Sequence, residues 1–102
     1  MKPLPRLLLA LSSPLLPLMA QADVGLATSK NCMGCHAMDK KLIGPSYKDI
    51  AAKYKGQKDA ETYLQGKILK GGTGVWGSMA MPPSANVSDA EARKLAAWIL
   101  TQ

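Results

Sequence analysis

Both cysteines of this chain and its single histidine fall within five consecutive residues, Cys32-Met33-Gly34-Cys35-His36. In a helical turn the thiols lie three residues apart and Cys32 and His36 four apart, so all three groups share one face. This CxxCH spacing is that of a site for covalent attachment of a c-type haem. Its two sulfurs add to the porphyrin vinyl groups, and the imidazole one residue on reaches the iron as proximal ligand. Competing uses of the same residues fail on inventory. A structural zinc site needs four Cys or His ligands, and the whole chain supplies two Cys and one His. A thioredoxin-like redox pair sits beside a βαβ pattern, and no strand-period alternation occurs to build one. A disulfide between such near neighbours is sterically awkward and leaves His36 without a task.

Residues 1 to 22 read as a secretory leader: Lys2 and Arg6 form a basic start, Leu7 to Leu11 an apolar stretch, and Ala20-Gln21-Ala22 an AxA cleavage site. An uncleaved anchor needs about 20 uninterrupted apolar residues, whereas Ser12, Ser13, Pro14 and Pro17 break the run early. Cleavage is expected to leave Asp23 as the N-terminus, with no stable membrane insertion. Leader and motif support each other, since bacterial CxxCH motifs receive haem outside the cytoplasm; the expected location is the periplasm.

Removing 22 of 102 residues leaves one domain of 80, a size at which an apolar core alone gives little net stability. The chain has no Phe, so a buried porphyrin is expected to be the centre of the core, and the haem-free chain to be largely unfolded. The formal charge is +6, from 13 basic against 7 acidic residues; without Lys2 and Arg6 it becomes 11 against 7, or +4. Such an excess steers docking towards an acidic partner. Nucleic acid is not an expected partner, because no recognition motif is present. A domain this small is expected to be a monomer.

The stretch from Asp23 to Cys35 predicts a short first helix that carries the thiols. Gly44-Pro45 marks a turn. Ser46 is placed to cap a helix through Tyr47, Ile50, Ala51 and Tyr54 that ends at Gly56, and Asp59 to cap another through Tyr63, Leu64, Ile68 and Leu69 that ends before Gly71. Residues 71–78, GGTGVWGS, are too glycine-rich for helix or strand and read as a closely folded loop. Ser88 and Glu91 form a capping-box signature ahead of Ala92, Leu95, Ala96 and Ile99 at helical spacing.

The chain offers no second histidine for the far face of the iron. Met33 and Met38 flank His36 too closely to cross to that face, which leaves Met79 and Met81, each more than 40 residues beyond His36. At about 3.3 Å per residue that is enough chain to wrap a porphyrin. Met81 is preferred, because Pro82 and Pro83 stiffen its segment at low entropic cost. Gap-filling in the core is the commonest alternative for either methionine.

Together CMGCH (32–36), GPSYKDIAAKY (44–54), GVWGSMAMPP (74–83) and the capped C-terminal helix are similar to the small bacterial class I cytochromes c of the c-551/c-552 type, over essentially all of residues 23–102. The resemblance implies an all-α class I cytochrome c fold, three to five short helices wrapped around one covalently attached haem c. It implies thioethers at Cys32 and Cys35, His36 as proximal ligand and Met81, not Met79, as distal ligand. It further implies that the Pro45 carbonyl accepts the His36 Nδ1 proton. Trp76 would give its indole N–H to a haem propionate; packing on the haem edge is the alternative for this residue. An Asn is common after MPP in these proteins, and Ser84 stands here instead, which bears on fine tuning of the potential rather than on ligation.

An iron ligated on both faces leaves no site for substrate, so the expected activity is one-electron transfer and not enzymatic turnover. Similar proteins pass electrons between membrane cytochrome complexes and a nitrite reductase or cytochrome oxidase. Exchange is expected at the haem edge near the thioethers, beside Met33 and Ala37, ringed by Lys30, Lys40 and Lys41. The rival reading is a haem enzyme or gas sensor with a labile sixth ligand, separated from a carrier by avid carbon monoxide binding.

Overall fold

The structure is a computed structural model that describes residues 2–3 and 16–102, with only the backbone described over 16–22. Residues 1 and 4–15, most of the expected leader, lie outside the described residues. Among the described residues four α-helices, α1 (Leu16–Ser29), α2 (Tyr47–Tyr54), α3 (Ala60–Lys70) and α4 (Asp89–Ile99), are joined by loops and one 3-10 turn, Cys32–Gly34. None of these helices is long and apolar enough to cross a membrane.

Local chemistry explains where two of them begin. Ser46 Oγ accepts the Asp49 backbone N–H at 3.0 Å and starts α2. At α4, Ser88 Oγ accepts from Glu91 N at 3.1 Å while Glu91 Oε1 accepts from Ser88 N at 3.0 Å, a complete capping box. Asp59 occupies the position before α3, but in the left-handed conformation (φ 63°) and with no side-chain cap hydrogen bond; the expected position is right and the expected chemistry is not. Glycines close the helices as anticipated: Gly56 follows α2 at φ 84° and Gly71 ends α3 at φ 71°, a region that costs side-chain-bearing residues energy.

The first helix departs from expectation. It ends at Ser29, and the thiols do not ride on it. Asn31, at φ 64°, turns the chain out of α1 into the separate 3-10 turn that carries Cys32. A left-handed residue cannot continue an α-helix, so the break falls there.

The core forms where α4 packs against α1, α2 and α3. Ala92 and Ala96 are fully buried and let neighbouring backbones approach closely, while Leu95 fills the space between. Tyr47, Ile50 and Tyr54 from α2, Leu64 and Ile68 from α3 and Ala27 from α1 complete one cluster. Tyr47 meets Trp98 edge-on at 5.0 Å between ring centroids. Burial of each large side chain contributes about 1.5–3 kcal/mol.

Candidate haem site

The residues singled out from the sequence come together at one cleft of about 330 Å³, lined by Cys32, Cys35, His36, Pro45, Trp76, Met79 and Met81. The 3-10 turn holds the first three by short-range bonds: Cys35 N and His36 N both donate to the Cys32 carbonyl, at 3.3 and 3.1 Å. The i,i+3 and i,i+4 spacing that puts these groups on one face therefore arises in a single tight turn rather than in a longer helix. Both cysteines are unpaired and half-buried. Burial pushes the Cys32 thiol above its ordinary pKa, the opposite of what an activated thiol–disulfide pair needs.

His36 is fixed on several sides. Its Nδ1 lies 2.7 Å from the Pro45 carbonyl oxygen. A carbonyl only accepts, so Nδ1–H donates and the lone pair sits on Nε2. The ring lies 5.6 Å from that of Tyr47, which in turn abuts Trp98, so two core helices buttress the imidazole from behind. Gly44 leaves room for it: a Cβ there would stand 2.5 Å from His36 Cε1. Gly44 N donates to the Cys35 carbonyl at 2.8 Å, closing the loop onto the turn.

Met81 is set by a different device. Its backbone pairs with Gly72 through two hydrogen bonds, Gly72 N to Met81 O at 3.0 Å and Met81 N to Gly72 O at 2.8 Å. At Gly71 the backbone of residues 81–83 comes so close that any Cβ would collide with it. Met81 is half-buried, whereas Met79 is 70% exposed. Trp76 is 42% exposed at the cleft, with the Lys53 ammonium 5.5 Å above its ring.

Some of the lining was not singled out from the sequence. Tyr47, expected as a residue of α2, and Trp98, on the Leu95 stripe at i+3, both line the cleft. Lys67, in the last turn of α3, also lines the cleft and lies 5.4 Å over the Tyr63 ring. Lys30, expected in the ring of lysines about the haem edge, lines the cleft, donates to the Asn86 carbonyl at 2.9 Å and pairs with Glu91 at 3.4 Å. Exposed Lys40 and Lys41 remain.

Elsewhere among the described residues no three His, Cys, Asp or Glu side chains converge on a point that could hold a metal. The cleft itself fits a haem by its donor set: two free thiols on one turn, an imidazole whose Nε2 lone pair is unused, and thioether sulfur. Tyr47 Oη, buried with no hydrogen-bond partner, also borders it.

Helices packed around such a cleft define a monohaem c-type cytochrome, and residues 24–102 match the family model described as cytochrome c, so the chain belongs to the cytochrome c family. Within it the likeness is to a particular small type. The chain is 58% identical over 82 residues to cytochrome c-552 of Nitrosomonas europaea, covering 80% of each protein. It is 53% identical over 77 residues to cytochrome c-551 of Pseudomonas aeruginosa, covering 76% of this chain and 73% of that one. The crystal structure of wild-type Nitrosomonas europaea cytochrome c552 superposes with a TM-score of 0.75 at 56% identity, over 76% of this chain and 96% of the other. The protein is thus a small class I cytochrome c with one covalently bound haem c. It is an electron carrier, not an enzyme, and its partners are redox proteins.

Proposed function

We propose that this carrier works in the periplasm as a monomer, with a His36/Met81-ligated iron, between a membrane cytochrome complex and a nitrite reductase or terminal oxidase. The observation that carries the ligation is the 2.7 Å bond from His36 Nδ1–H to the Pro45 carbonyl. It commits the ring to one tautomer, leaves Nε2 as the donor atom, and makes that nitrogen a stronger base. Cys32 and Cys35 hold the cofactor through thioethers. Met81 supplies the sixth ligand, its backbone steadied by Gly72 and its φ-restricted successors Pro82 and Pro83. Once bound, the haem supplies a one-electron ferric/ferrous couple.

The chain's own residues keep that couple outer-sphere. Tyr47, Leu95 and Trp98 exclude water behind the cleft, and an apolar, thioether-ligated setting favours the reduced state. Lys53 and Lys67, near Trp76 and the cleft wall, offer positive charge to propionate groups, and Trp76 an indole N–H. Exposed Ile43, Val75 and Met79 at the mouth form an apolar rim, with Lys40 and Lys41 supplying charge for an acidic partner.

The test is Met81→Ala beside Met79→Leu. The weak red sulfur-to-ferric charge-transfer band should vanish in the first and persist in the second, and ferrous Met81→Ala protein should gain avid carbon monoxide binding. A band that survives Met81→Ala would refute the assignment. Cleavage after Ala22 is tested by N-terminal sequencing of protein from its native compartment, with Asp23 expected first.

A further inference from the structure

Met79 stands apart from Met33, Met38 and Met81. Met33 and Met38 pack against the core and Met81 is half-buried, but Met79 is 70% exposed between two exposed small residues, Ser78 and Ala80. It is not merely loose. The loop is closed at its root by the Gly72–Met81 pair and within by Gly74 N to Gly77 O at 2.9 Å and Thr73 Oγ1 to Ser78 O at 3.3 Å. A braced loop therefore displays this thioether at the mouth of the haem cleft, beside exposed Ile43 and Val75.

We infer that Met79 is a reversible oxidation site that gates docking at the cleft mouth. A hydroperoxide such as hydrogen peroxide is the oxidant. Met79 Sδ attacks one peroxide oxygen, the O–O bond breaks, an S–O bond forms, and the proton on the transferred oxygen passes to the departing hydroxide to give water. Sulfur is oxidised by two electrons and the peroxide is reduced by two; a thiol-dependent methionine sulfoxide reductase reverses the change. The product is a polar, chiral sulfoxide in the apolar rim. Docking must then strip water from a polar group that finds no partner. The consequence for docking rests on the rim reading given above, while the site of modification does not.

The test uses ferric holoprotein and limiting hydrogen peroxide. Peptide mass spectrometry should find Met79 sulfoxide before any at Met33, Met38 or Met81, with the red charge-transfer band intact. A second copy of the chain serves as docking probe: the second-order ferric/ferrous self-exchange rate, read by NMR line broadening, should fall about tenfold and recover on treatment with the reductase. For Met79→Leu the ratio of treated to untreated rates should stay near one, whatever its own rate, and Met79→Gln should reproduce the oxidised protein's slow exchange. Oxidation of Met81 before Met79, or an equal drop in Met79→Leu, would overturn the inference, as would unchanged exchange in the singly oxidised protein. Loss of the charge-transfer band at the outset would instead count against the half-buried Met81 ligand, which separates the two failures.

Discussion

Gly44→Ala is the sharpest test of how His36 is held. The added methyl would meet His36 Cε1 at 2.5 Å, Nδ1 at 2.9 Å and Nε2 at 3.2 Å. Ordinary contact begins at 3.4 Å, so the ring must retreat by about 0.9 Å. A shift of that size lengthens the 2.7 Å bond from Nδ1 to the Pro45 carbonyl, to about 3.6 Å at most, beyond hydrogen-bonding reach. The lost bond costs about 0.5–1.5 kcal/mol and the crowding about 1–3 kcal/mol. For a domain this small that corresponds to a fall in Tm of roughly 6–36 °C. An imidazole without its Nδ1 acceptor is also a poorer base, so the reduction potential should rise. Gly66→Ala is the control: a Cβ there meets nothing within 4 Å, in the interior of α3, and should stabilise by about 0.4–1 kcal/mol. Denaturant melts of the two holoproteins by circular dichroism and Soret absorbance, with voltammetry alongside, decide the matter. Equal stability changes in both variants, or a Gly44→Ala potential equal to the parent's, would refute the reasoning.

Ser88→Ala should cost about 1 kcal/mol in urea melts by removing the α4 cap. The backbone N–H of Ser88, its hydroxyl and Lys30 hold the Glu91 carboxyl below the usual range. Its contribution is therefore present at neutral pH and lost as pH falls through that lowered value, so Glu91→Gln should show a shallower acid limb than the parent. At the alkaline end, burial followed by Tyr63 pushes the Tyr54 hydroxyl up to about 12. That stability is complete below the ordinary value of 10.0 and fades as pH climbs towards 12, a decline Tyr54→Phe should lack in alkaline melts. Finally, protein made with both cysteines changed to alanine should give a largely unfolded circular dichroism spectrum, and a cooperative melt would contradict a core centred on the haem.

What could be read in the sequence was what short-range chemistry writes there. Ser46 and Ser88 announce helices because a cap hydrogen bond spans three residues and needs no partner from elsewhere. CMGCH likewise carries its groups in one turn. Asp59 shows the limit: a suitable cap residue sits at the boundary, yet its left-handed backbone takes the carboxylate out of play. The break at Asn31 also escaped, since a positive φ is tolerated by Asn without being demanded by it. The pairing of Lys30 with Asn86 and Glu91 is set by tertiary packing that no local window contains. Trp98 is legible, for it continues the stripe of Leu95 at i+3.

The Lys30 contact has a consequence for biogenesis. Its partner Asn86 lies 56 residues downstream, and α4, onto which the N-terminal segment packs, is the last helix in the chain. A polypeptide threaded through an export pore N-terminus first thus presents its attachment turn while the segments that will enclose it are still on the other side. Under the export proposed above, the ligation machinery would meet an open substrate, and the clasp would shut only after the final helix had emerged.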